Sequence, residues 1–167
     1  MDADVSCLTS VATDHVDELV NKCVSMGCEK AGIFSAAKTV SCDDVKPPIS
    51  VIKQAEKLHC KLFQLGSQYD VVNNGDPGNP CWTLQSCYPD IRDLPEPTLL
   101  GSFQKSNAAT AIMALQTLQS NGLLFSASNL VDNSQFTQAI STGLSHICLP
   151  GRFQQVNAKP PVYVDVA

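Results

Sequence analysis

A chain of 167 residues that is 44% hydrophobic and 16% charged has the composition of an ordinary globular protein of about one domain. Its net charge of −5 and isoelectric point near 5.0 exclude the basic footprint that nucleic-acid binding needs. No run approaches the ~18–20 apolar residues of a membrane span. Met1-Asp2-Ala3-Asp4 also lacks the basic start and apolar run of a signal peptide, so the chain reads as cytoplasmic.

In chain order, Val5-Ser6-Cys7-Leu8-Thr9-Ser10-Val11 is short and β-prone and runs into the polar Thr13-Asp14-His15. The pattern predicts a strand over 5–11 that delivers polar groups at its carboxyl end. A helix is expected over 16–27, a strand over 38–41 and a turn at Asp43-Asp44. Pro47-Pro48 opens a second helix over 49–63, with Val51, Ala55, Leu58 and Leu62 at helical spacing and Gly66 as its stop. Cys60–Leu65 carries enough β character to be turning into strand before that stop.

Residues 67–98 differ in kind. Asn73-Asn74-Gly75-Asp76-Pro77-Gly78-Asn79-Pro80 is dense turn chemistry between β-prone 69–72 and 81–84, which predicts a hairpin excursion. Pro89, Pro95 and Pro97 lead back from it. A third helix over 107–119 places Ala108, Ile112, Leu115 and Leu118 on one face, and Asn121-Gly122 ends it. A fourth over 133–143 turns Phe136, Ala139, Ile140 and Leu144 inward, behind an Asp132/Gln135 capping pattern. Pro160–Ala167 then starts a new strand. The eight cysteines form no C-x-x-C pair and the three histidines lack finger spacing, so reduced thiols are the expected state.

Four short motifs carry chemistry: Asp14-His15 at a strand end, Glu29-Lys30-Ala31-Gly32-Ile33, Asn107-Ala108-Ala109-Thr110-Ala111, and Leu149-Pro150-Gly151-Arg152-Phe153-Gln154. Singly each has a bland reading as a surface histidine, a solvated lysine, a helix cap or a turn. Together with Asp2-Ala3-Asp4-Val5, Thr9-Ser10-Val11 and Asp165-Val166-Ala167, their order and spacing resemble the dihydrofolate synthase/folylpolyglutamate synthase family, the folate-pathway members of the Mur ligase superfamily. The resemblance spans the whole chain.

That resemblance implies an α/β fold: the second half of a Mur-ligase-type ATPase domain, a mostly parallel sheet with flanking helices and a β-hairpin excursion, plus the first strand of the C-terminal domain. The implied divisions are 1–148 for the partial ATP-binding domain, with 67–98 as the excursion, 149–161 for the interdomain linker, and 162–167 for the first strand of the glutamate-side domain. It implies an ATP-dependent ligase using ATP and Mg2+, which adds L-glutamate to dihydropteroate or folate through an acyl phosphate, and a monomeric parent enzyme. His15 and Lys30 are the implied metal positions, with Lys30 carbamylated so that a cation becomes an anionic oxygen ligand. Magnesium ordinarily prefers oxygen, so the histidine role rests on the resemblance alone. Asn107, Arg152 and Asp165 are the implied ATP contacts: an amide has a donor and an acceptor for a base edge, arginine a planar fork for phosphate, and a carboxylate accepts ribose hydroxyls.

Leu19 is followed by Val20 where the family has glycine, and Cys28 stands where a basic residue is common. The 167 residues also contain no G-x-x-G-K-[ST] phosphate loop. The expectation is therefore an interior fragment that is inactive alone. The alternatives are a non-catalytic remnant serving as an interaction module, and a piece of a peptidoglycan Mur-type ligase.

Overall fold

The chain is described by a computed structural model over residues 3–9, 27, 29–76, 78–124, 132–151 and 154–165. Strand β1 (Val5–Leu8) is followed by a 3-10 turn (Ala31–Ile33), β2 (Thr39–Cys42), helix α1 (Ile49–Lys57) and β3 (Lys61–Gln64). Then come β4 (Tyr69–Asn73), β5 (Cys81–Ser86), β6 (Ile91–Pro95), α2 (Gln104–Ser120), α3 (Asn133–His146), β7 (Gln154–Ala158) and β8 (Pro161–Val164). The helix expected over 16–27 falls outside the described residues but for Gly27.

β1, β2 and β3 form a parallel sheet in that order, in register Val5↔Thr39 and Thr39↔Lys61. All four residues of β2 are buried, as befits a central strand covered on both faces. Alternation then decides which side chain meets which layer. Val40 and Cys42 join Leu8, Phe34, Val51 and Ala55 in a core under α1. Ser41 faces the other way, and its hydroxyl donates to the Thr110 carbonyl of α2 at 3.0 Å.

The excursion is larger than a hairpin. β4, β5 and β6 make a three-stranded antiparallel sheet, and its Tyr69, Trp82, Leu84, Ile91 and Leu94 pack against Ala109, Ile112 and Met113 of α2 and Phe136, Ile140 and Leu144 of α3. Tyr69 joins this layer to the parallel sheet: its phenol lies 2.7 Å from the Cys42 carbonyl and 2.7 Å from the Thr110 hydroxyl. Burial pushes that phenol up, against the lowering effect of its bonds to Thr110 and Ser41.

α1 ends at Lys57 rather than at Phe63, because His59 takes a left-handed conformation with φ of 53° and the chain turns directly into β3. α2 ends as expected, with Asn121 as its cap and Gly122 at φ 67°. The Asp132 carboxylate accepts from the Gln135 backbone N–H at 2.8 Å, which caps α3. β8 pairs antiparallel with β7, so the segment expected as linker supplies a strand to a two-stranded ribbon. Among the described residues no helix is long and apolar enough to cross a membrane.

Candidate functional site

In open α/β sheets, ligands gather at the carboxyl ends of parallel strands. Here that edge is formed by Leu8, Cys42 and Gln64. Asp43 follows β2 directly; its backbone N–H donates to the Leu8 carbonyl at 2.9 Å, which extends the ladder by one step. The side chain is only 6% exposed, an uncommon setting for a carboxylate. The Ser106 hydroxyl, in the first turn of α2, lies 3.3 Å from Asp43 Oδ2. The amino end of α2 therefore stands against the carboxyl edge of the sheet.

Lys105 also fixes this end of α2. Its ammonium donates to Asn73 Oδ1 of β4 at 2.7 Å and pairs with Glu96, which follows β6. A cation at a helix amino end works against the helix dipole, and Glu96 offsets it.

Asn107 is one residue past Ser106. Its backbone N–H donates to the Phe103 carbonyl at 3.0 Å, and its side chain donates from Nδ2 to Gln104 Oε1 at 3.4 Å. Both amides border a cavity of about 510 Å³ between α2 and α3. Its walls are Ala108, Ala111, Ile112 and Leu115 from α2, Phe136, Ala139, Ile140 and Leu144 from α3, and Ile147 and Leu149 beyond. Largely apolar walls with few polar groups among them are the composition of a small-molecule site.

Lys30 immediately precedes the 3-10 turn and is partly buried. Of the apolar residues expected to surround it, Ala31 is fully buried and Phe34 nearly so, while Ile33 is 51% exposed. The Ser6 hydroxyl donates to the Ile33 carbonyl at 3.0 Å and ties this turn to β1. Asp165 follows β8 and is exposed. Asn107 lines the cavity; Lys30 and Asp165 do not. His15 and Arg152 lie outside the described residues. Among the described residues no three His, Cys, Asp or Glu side chains gather to hold a metal ion.

Three residues of this region escaped the sequence reading. Asp43 was expected only as part of a turn, although an acid directly after a buried strand is itself a signal. Ser106 and Gln104 precede the point at which α2 was expected to start. Gln104 stands three residues before Asn107, the spacing at which helical side chains meet.

No protein-family model matches the chain. The dihydrofolate synthase/folylpolyglutamate synthase of Escherichia coli (strain K12) is 33% identical over 168 residues, covering 100% of this chain and 35% of that protein. An E. coli FolC structure in complex with DHPP and ADP superposes with a TM-score of 0.74 at 32% identity, covering 99% of this chain and 35% of that one. A bifunctional folylpolyglutamate synthase/dihydrofolate synthase with Mn, AMPPNP and L-glutamate bound gives 0.73 at 32%, again over 99% and 35%. The chain thus spans about a third of the length of the relatives it matches.

Proposed function

We propose that this chain, whose whole length is related to the dihydrofolate synthase/folylpolyglutamate synthases, forms part of the nucleotide side of an ATP-dependent ligase. In the proposed reaction a carboxylate of dihydropteroate or of a folate attacks the γ-phosphorus of ATP, releasing ADP and leaving an acyl phosphate. The amine of L-glutamate then attacks the acyl carbon, phosphate departs, and an amide forms. Such chemistry asks the protein mainly for positioning and for charge stabilisation.

The observation that carries this reading is Asn107 in the lining of the apolar cavity, on the helix whose first turn meets the carboxyl edge of the parallel sheet. The flat face of a base suits the Ala108, Ala111, Ile147 and Leu149 walls, and the Asn107 amide suits a base edge that has one donor and one acceptor. Arg152 and Asp165 would serve the phosphates and the ribose. His15 and Lys30 would hold the divalent ion, which when bound supplies positive charge to the transferring phosphoryl group. The proposed divisions are 1–148 for the ATP-binding part, 149–161 for the link and 162–167 for the start of a glutamate-side part.

The 167 residues contain no phosphate loop, so the chain alone should bind an adenine nucleotide without turning it over. The test is fluorescence titration with a labelled ADP, alongside a glutamate-ligation assay on dihydropteroate. Binding that Asn107→Ala weakens by about tenfold, the scale of one lost bidentate contact, with ligation no higher than in a protein-free blank, is the expected result. Nucleotide affinity unchanged by Asn107→Ala would overturn the base site, and ligation by the chain alone would overturn its proposed inactivity.

A further inference from the structure

A carbonyl oxygen only accepts, so a chain of hydrogen bonds that ends on one has its direction fixed throughout. Such a chain runs along the seam between β2, β4 and α2. The Tyr69 phenol lies 2.7 Å from the Cys42 carbonyl and must donate to it. Its one hydrogen is then spent, so the Thr110 hydroxyl, 2.7 Å away, donates to the phenol oxygen. The Cys42 carbonyl also accepts from the Leu65 N–H at 3.0 Å, which ties this end of the chain to the parallel sheet. Beside it, the Ser41 hydroxyl donates to the Thr110 carbonyl at 3.0 Å. Tyr69, Thr110 and Ser41 are all fully buried, so these bonds are shielded from water.

The network grips α2 one turn beyond the proposed base site. Thr110 stands three residues after Asn107 and four after Ser106, the spacing of neighbours on a helix. Cys42, at the other end, directly precedes Asp43, the acid that Ser106 faces. Apolar contacts press α2 onto both sheets, but they are non-directional, whereas a hydrogen bond weakens steeply with distance and angle. The Ser106–Asp43 contact is long at 3.3 Å, and the bonds of Lys105 are partly open to solvent. The buried hydroxyls are therefore the groups best able to set how far α2 is turned and slid against the sheet.

We infer that Tyr69 is a positioning residue: its hydroxyl, held by Cys42 and bonded by Thr110, seats α2 at the carboxyl edge of the parallel sheet and so places Asn107 for a nucleotide base. This rests on the base site proposed above. Tyr69 does not line that cavity, so it acts on binding only through the seat of Asn107. Phenylalanine at 69 keeps the packed ring and removes the bond. At 110, valine keeps the volume and removes the donor, whereas serine keeps the donor.

The experiment titrates the 167-residue chain with labelled ADP, alongside Tyr69→Phe, Thr110→Val, Thr110→Ser, Asn107→Ala and Tyr69→Phe combined with Asn107→Ala. Titrations are run below each thermal midpoint, with circular dichroism confirming equal helix content. Tyr69→Phe and Thr110→Val should each weaken binding by about fivefold, the scale of one net hydrogen bond, while Thr110→Ser keeps the wild-type affinity. In the Asn107→Ala background Tyr69→Phe should cost no further affinity, because there is no amide left to place. Wild-type affinity in Tyr69→Phe, or a second loss on top of Asn107→Ala, would overturn the role of Tyr69 while leaving the base site standing. Should Tyr69→Phe not fold, Thr110→Val against Thr110→Ser reads the same bond, and equal affinities in that pair would overturn the role. Unchanged binding in Asn107→Ala, or no binding by the wild type, would overturn the base site and this inference with it.

Discussion

Cys42 closes β2 with no exposed surface, and burial pushes its thiol up to about 11. A hydrogen bond from the Asp44 backbone works in the opposite direction, and the charges of Asp44 and Asp43 add to the rise. The folded chain therefore holds this proton more tightly than the unfolded chain, whose thiol titrates near 9.0. The stability linked to Cys42 is complete below that value and is lost as pH rises from about 9 toward 11. Thermal midpoints should fall over that window, and Cys42→Ala should flatten the fall while lowering the midpoint at neutral pH. Some slope should remain, because burial also raises the Cys7 and Cys60 thiols. Equal slopes in the variant and the wild type would show that Cys42 does not set the alkaline limit. The neighbouring Asp43 marks where single residues became hard to read: two acids after a strand look like a turn, and only the fold shows one of them buried against Ser106.

Helix α3 illustrates what an element owes to its cap. Phe136, Ile140 and Leu144 lie one turn apart on its buried face, and Asp132 satisfies an amide at its exposed start. The Ser134 hydroxyl and the Gln135 N–H hold the Asp132 carboxyl below its ordinary value. A lowered folded value means that the contribution is present above the ordinary carboxylate range and is lost as pH falls through the folded value. Asp132→Ala should reduce amide protection in the first turn of α3 at neutral pH, and the difference from wild type should close in acid. Hydrogen exchange at two pH values reads this, and a gap unaffected by acid would assign the loss to something other than the charged cap. This helix was legible because apolar period and cap agreed. The start of α2 was not, since its cap residue, Phe103, makes no side-chain capping bond. Strand β6 was hidden for a different reason. Ile91 and Leu94 both point into the core although three positions apart, opposite Leu84 and Trp82, which are two apart. Asp93, at φ 55°, absorbs the extra residue as a bulge, so the alternation that would announce a strand is broken.

At the scale of the molecule, the apolar burial of the described residues is divided between two cores. Within 67–98, where the turn chemistry is densest, Trp82, Leu84 and Leu94 are fully buried and anchor the larger core with α2 and α3. The parallel sheet has strands of only four residues and the smaller core. The β7–β8 ribbon leaves Val156, Val162, Tyr163 and Val164 between 41% and 53% exposed, and a two-stranded ribbon with no apolar cover is marginal in water. The cavity between α2 and α3 adds apolar wall in contact with solvent, at roughly 25 cal/mol for each Å² left wet. Against whole-domain stabilities of only about 5–15 kcal/mol, these surfaces should make the chain alone poorly soluble and receptive to apolar dyes. Native-state hydrogen exchange should be fastest in β7 and β8, intermediate in β1, and slowest in β5 and α2. Trp82→Ala should cost about 3–5 kcal/mol and release protection throughout the antiparallel layer and both of its helices. Equal protection in the ribbon and in β5, with one sharp thermal transition from a soluble monomer, would mean that the two sheets and the ribbon share a single cooperative core.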